Sequence, residues 1–201
     1  MKKLLLLATA ALLALAVVVP ASASASTWGY GMSGEGPYQL EPGETASEVF
    51  TGWFGREAPG VSGSHGCLAT IEIEGKAGTV GRVVSLTRDF ENCWGTGYWS
   101  NWAPVVGGFS NVSSGWSVNI SSAPQISKAA GNIEVGTYVE PYVANPRMQY
   151  WGNPWSLVPN LDESGRLLGF TLKGIETNGV SATIGQFTAT EGPLELELYM
   201  L

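Results

Sequence analysis

Hydrophobic and polar positions alternate with a period of two through most of the chain, and turn residues separate the alternating runs. Ser47 to Phe54 is the first such run. In Cys67 to Glu74, Cys67, Ala69, Ile71 and Ile73 share one face, while Thr70, Glu72 and Glu74 share the other. Gly75-Lys76-Ala77-Gly78 reads as a turn, and Thr79 to Phe90 returns as a strand rich in Val, Thr and Leu, which makes a hairpin. Ser113 to Ser121 alternates again with Trp116, Val118 and Ile120 on one side, and Ile133 to Val139 is a further short strand. Arg166 to Lys173 and Val180 to Phe187 flank Asn178-Gly179, a type I′ hairpin signal. Leu194 to Leu201 closes the chain, with Leu194, Leu196, Leu198 and Met200 facing one way and Glu195 and Glu197 the other.

Two stretches lack this period. Trp94 to Gly108 crowds glycine and aromatics around Pro104, and Glu140 to Asn160 holds Pro141, Pro146, Pro154 and Pro159 among aromatic residues. Both read as long loops, the second with at most a short edge strand, because proline confines sheet pairing to edges. No helical pattern separates the strands, so the expected fold is all-β, an antiparallel β-sandwich or barrel of about eight strands.

The first residues carry a different pattern. Lys2 and Lys3 precede an apolar run from Leu4 to Val19, Pro20 breaks it, and Ala21-Ser22-Ala23 and Ala23-Ser24-Ala25 offer small-x-small cleavage sites. Residues 1–25 therefore read as a cleaved signal peptide, 26–45 as a flexible mature N-terminus, and 46–201 as a single β domain. A secreted or otherwise extracytoplasmic location follows, with a mature form that is not embedded in a membrane.

The chain is acidic, with a formal charge of −7 at pH 7, and loses two more positive charges with the leader. Such a balance argues against nucleic acid, which needs a basic stripe to replace phosphate counterions. Two cysteines occur, Cys67 and Cys93, and in an oxidising compartment they are expected to form a disulfide. Their midpoint is Val80, whereas the turn centres nearer Ala77. The bridge is thus not expected between directly facing positions of a tight hairpin. Either the hairpin loop is wider than it looks, or Phe90 to Cys93 leaves the ladder and folds back over it; the second is favoured because Glu91-Asn92 continues a strand poorly.

No residue pattern assembles a catalytic site. His65, the only histidine, sits in Ser62-Gly63-Ser64-His65-Gly66-Cys67, where sequence neighbours do not supply the convergence a triad needs. Two Cys and one His do not make a structural zinc site, and no cofactor motif is present. Glu72 with Glu74, about 7 Å apart on one strand face, and Asp89 with Glu91 have the spacing of a glycosidase pair, but solvated surface carboxylates explain them as well. Asp162-Glu163-Ser164-Gly165 lacks the spacing of a calcium loop and reads as a turn. The sequons at Asn111 and Asn119 carry no weight here.

Tryptophan is the compositional oddity, at 8 of 201 residues. Trp94, Tyr98, Trp99 and Trp102 cluster in the first aperiodic zone, and Tyr150, Trp151 and Trp155 in the second. These seven are the candidate ligand-binding residues, since tryptophan and tyrosine present large rigid faces to sugars and protein partners. The competing reading is that they close the ends of the core.

The run Cys67-Leu68-Ala69-Thr70-Ile71-Glu72-Ile73-Glu74-Gly75 leads through Gly81 and Ser85-Leu86-Thr87 to Phe90-Glu91-Asn92-Cys93. Over these ~30 residues the chain resembles small secreted bacterial β-rich proteins of uncharacterised function. The resemblance implies an exported β domain and no activity. Three expectations for function follow: a non-catalytic domain binding an extracellular polymer or protein through aromatic loops, a secreted polysaccharide hydrolase using paired carboxylates, or a structural surface or matrix protein.

Overall fold

In a computed structural model of the chain, the structure describes residues 26–32, 35–57, 64–96, 116–128, 133–138, 147–151, 153–175, 181–190 and 196–201. Residues 1–25, read from the sequence as a signal peptide, and Asn178-Gly179 lie outside them. Eight strands close into an antiparallel barrel. In spatial order they are β10 (Trp155–Leu161), β11 (Leu167–Ile175), β12 (Ser181–Ala189), β3 (Thr45–Glu57), β4 (His65–Lys76), β5 (Val80–Gly95), β6 (Trp116–Asn119) and β7 (Gln125–Lys128). A three-stranded sheet, ordered β13 (Leu196–Met200), β1 (Trp28–Met32), β2 (Glu35–Gln39), packs with it, and β8 (Ile133–Tyr138) pairs with β9 (Arg147–Trp151).

The period-two pattern places the core. Ala46, Phe50 and Phe54 of β3 and Cys67, Ala69, Ile71 and Ile73 of β4 are buried. Between them Thr45, Val49, Thr51 and Leu68 are exposed. Leu86, Val118, Ile126, Leu172 and Ile184 complete the interior from the other strands.

Within segment 26–45, expected to be flexible, Trp28–Met32 and Glu35–Gln39 are instead strands. β1 pairs along its whole length with β13, from Trp28 opposite Met200 to Met32 opposite Leu196. The glycines that suggested flexibility alternate with Trp28, Tyr30 and Met32, and at Gly31 a Cβ would stand 2.9 Å from the Glu35 carbonyl. Close strand approach, not loose chain, explains that glycine. The three-stranded sheet, a cap on the barrel, is pinned to it by Glu48, which is buried and accepts a hydrogen bond from the Leu198 backbone N–H at 2.7 Å. On the far side Arg166 pairs with Glu197 at 3.1 Å.

The stretch expected to be a proline-rich loop also differs, for it contains β9 and all but the last residue of β10. β10 touches β7 only at Trp155 and Ser156 and then has β11 as its partner. Pro159 falls in that second part, where β10 is a local edge and a missing N–H is tolerated.

The disulfide corrects a further expectation. Cys67 and Cys93 are directly facing partners in the β4–β5 ladder, with Cα atoms 3.9 Å apart. The offset from the turn is absorbed by bulges. Ile73 faces Val83 but Glu72 faces Ser85, and Leu68 faces Asp89 while Cys67 faces Cys93. Phe90, Glu91 and Asn92 thus do leave the ladder, yet Cys93 rejoins it and β5 continues to Gly95. Beyond, Thr96 N–H donates to the Ser64 carbonyl at 2.8 Å.

Candidate functional site

Asp89 organises the bulge that precedes the disulfide. Its Oδ1 accepts the Glu91 backbone N–H at 3.0 Å, and its Oδ2 accepts from Asn92 Nδ2. The Asn92 amide, then the Glu91 N–H, hold this carboxyl below its ordinary range. A group with a lowered value stabilises the fold above its ordinary titration range, near pH 4, and that contribution fades as pH falls through the lowered value. Acidification is therefore expected to loosen residues 90–95 before the barrel. A red shift of tryptophan emission ahead of the circular dichroism change would show it, and Asp89→Ala should remove that early step.

Trp94 stands one ladder position from the end of this repaired strand pair, on the outer face. It lies opposite Gly66, and its ring covers that glycine so closely that a Cβ there would be 2.8 Å from Trp94 Cη2 and 3.3 Å from Trp53 Cε3. Trp53, on the neighbouring β3, meets Trp94 edge to face with ring centroids 5.9 Å apart. Trp53 Nε1 donates to Gln186 Oε1 at 3.3 Å, which fixes the ring against β12. Trp94 remains 38% exposed and Leu68, beside Trp53 in the ladder, 50%. Two tryptophans and a leucine on the outside of a barrel whose other outward positions are largely polar form a patch that folding does not require.

An open groove of about 640 Å³ adjoins the patch. Thr51, Thr70, Thr87 and Thr188 form one side, with Leu68 and Asp89 on the other. Its course follows from backbone contact: a Cβ at Gly52 would overlap the Gln186 carbonyl, so only glycine lets β3 and β12 approach there.

Of the seven aromatics expected at a site, the structure places Trp94 on the surface and Trp155 in the core. Trp155 is fully buried, with its ring 5.5 Å from Phe54 and 5.1 Å from Trp116. It cannot stack on an external ligand; it fills the barrel, as its inward position on β10 dictates. Tyr150 and Trp151 belong to β9, on the ribbon with β8; their side chains are outside the described residues, as are Tyr98, Trp99 and Trp102 entirely. Trp53 was missed. Its signal lay in the alternation, because Trp53 is out of phase with inward-facing Phe50 and Phe54 and must point outward.

Of the carboxylates considered for catalysis, Glu74 and Asp89 are engaged in structural contacts. Glu74 receives Arg82 Nε and Nη2, each at 2.9 Å, and lies 3.7 Å from Lys76 Nζ. Asp162 Oδ1 accepts the backbone N–H groups of Ser164 and Arg166, the arrangement of a turn. His65 is buried opposite Arg56, while Ser64 Oγ lies 3.1 Å from Thr96 Oγ1. Among the described residues no three His, Cys, Asp or Glu side chains converge as metal ligands. No protein family, curated protein or solved structure matches the chain.

Proposed function

We propose that the protein is a non-catalytic extracytoplasmic binding domain that holds a polysaccharide against the outer face of its barrel at Trp53, Trp94 and Leu68. One observation carries the reading: a fixed, edge-packed tryptophan pair, Trp53 half-buried and Trp94 exposed, lies beside an open groove walled by hydroxyls. Tryptophan faces bury the apolar faces of sugar rings at little conformational cost, and flanking hydroxyls satisfy the sugars' own. The disulfide suits an oxidising compartment. The hydrolase reading loses support because Glu74 and Asp89 are already held by Arg82 and by Asn92 and Glu91.

Affinity gel electrophoresis of the mature chain in a panel of soluble polysaccharides tests the proposal. The wild type should be retarded by at least one polymer. Trp94→Ala should weaken that binding by about 2 kcal/mol or more, roughly thirtyfold, as expected for a central aromatic anchor. Equal retardation of wild type and Trp94→Ala by every polymer that binds, or none by any, would sink it.

A further inference from the structure

The groove's chemistry says more about the ligand than the tryptophans do. Thr188 faces Thr51 across β12 and β3, Thr51 faces Thr70 across β3 and β4, and Thr70 faces Thr87 across β4 and β5. Four adjacent strands thus present one outward row of threonines at right angles to the strand direction. At about 4.8 Å between strands the row spans about 14 Å, the scale of a short oligosaccharide rather than of one ring. A second row runs parallel to it, from Gln186 through Trp53 and Leu68 to Asp89. The groove lies between the two rows.

Charge is distributed unevenly across this floor. Arg88 lies in the groove segment, but it alternates with outward Thr87 and Asp89, and its guanidinium sits 5.9 Å from the centroid of the buried Phe54 ring. The cation is therefore turned into the barrel. Arg82, two rows away, is committed to Glu74. Among the described residues, the outward side chains lining the groove are four threonines, Leu68 and one carboxylate held ionised by its hydrogen bonds, with the Trp53 indole and the Gln186 amide in the bordering row. Such a surface offers donors and acceptors to hydroxyls and has nothing to offset the desolvation of an anion.

We infer that the ligand is an uncharged polysaccharide whose chain crosses β12, β3, β4 and β5 along the threonine row, with its sugar faces against Trp53 and Trp94. This rests on the polysaccharide reading above and adds to it the ligand's charge class and its direction on the sheet. Thr51 and Thr70, at the middle of the row, are the specificity-determining residues, each exchanging a hydrogen bond with ligand hydroxyls.

The test compares wild type, Trp94→Ala and the double variant Thr51→Val/Thr70→Val, which keeps the β-branched shape on a strand and deletes both hydroxyls. Dissociation constants are measured for neutral polymers (hydroxyethylcellulose, laminarin, xylan, mannan) and for carboxymethylcellulose and alginate, at low and at high salt. The wild type should bind a neutral polymer with an affinity that salt hardly changes, since no counterions are released. The double threonine variant should lose roughly tenfold, about one hydrogen bond's worth per hydroxyl, with an unchanged melting curve. Hydroxyethylcellulose against carboxymethylcellulose isolates charge on one backbone. Binding of the anionic polymers equal to or tighter than the neutral ones would overturn the inference. So would unchanged affinity in the threonine variant alongside loss in Trp94→Ala, an outcome that leaves the tryptophan platform standing. Binding indifferent to Trp94→Ala removes the parent reading and the inference together.

Discussion

Trp28→Ala is expected to cost the domain about 3–5 kcal/mol, the range for emptying a fully buried aromatic site. Trp28 has no exposed surface, although it is only two residues from the start of the described chain. Its N–H donates to the Gly78 carbonyl at 2.9 Å and its carbonyl accepts the Leu40 N–H at 3.3 Å. Its ring covers the β4–β5 hairpin so closely that a Cβ on Gly75 would stand 3.0 Å from it. The cap therefore closes one end of the barrel with a single large side chain, and both ends of the described chain meet there: Thr27 and Leu201 exchange backbone hydrogen bonds at 2.7 and 2.8 Å. A loss of this size is a large part of the ~5–15 kcal/mol that holds a typical domain together. In urea the midpoint should fall with the slope unchanged. Trp28→Phe should lose much less, because the indole Nε1 is buried without a hydrogen-bond partner among the described residues and only ring volume is at stake. A midpoint unaffected by Trp28→Ala would mean that β1 is not part of the cooperative unit.

The same residue shows why part of the fold could be read from the sequence and part could not. Where apolar side chains alternate with polar ones, as in Cys67 to Glu74, the inward face is legible at once, and the barrel strands β3, β4, β5, β11 and β12 follow from it. Where glycine takes the alternate place, as at Gly29 and Gly31, alternation survives but composition imitates a loose segment. β10 was hidden by Pro159, which signals a break unless one knows that the neighbouring β7 has already ended. The bulge between Asp89 and Cys93 was half visible, since the cysteine spacing demanded extra residues, while their return to the ladder depends on Asp89's hydrogen bonds. The site was legible only at Trp94. Its partner Trp53 and the threonine row come from strands far apart in sequence, and which threonines share a row is a matter of register, which single strands do not encode.

Removing the disulfide, as in Cys67→Ser/Cys93→Ser, is expected to lower global stability by about 3–4 kcal/mol in the chain-entropy account of a bridge spanning 26 residues. It should also act locally, at the site. From Arg82 to Asp89 β5 is held to β4 by a ladder with one small bulge; beyond Asp89 the ladder stops for Phe90, Glu91 and Asn92. The segment carrying Trp94 is attached past that gap by its pairing with His65 to Cys67, by the Ser64–Thr96 contacts and by the covalent bridge. Of these only the bridge survives transient fraying of a strand end, where opening costs little. Without it, residues 93–96 should open at denaturant concentrations that leave the barrel intact, and Trp94 would no longer be held edgewise against Trp53. Polysaccharide binding should then be lost at lower urea than the far-ultraviolet circular dichroism of the barrel, whereas in the oxidised wild type the two should disappear together. Coincident loss in the reduced or serine form would show that Trp94 is held by the ladder alone. Separation of the two curves would make the disulfide the anchor of the binding face, with its contribution to overall stability a second, independent effect.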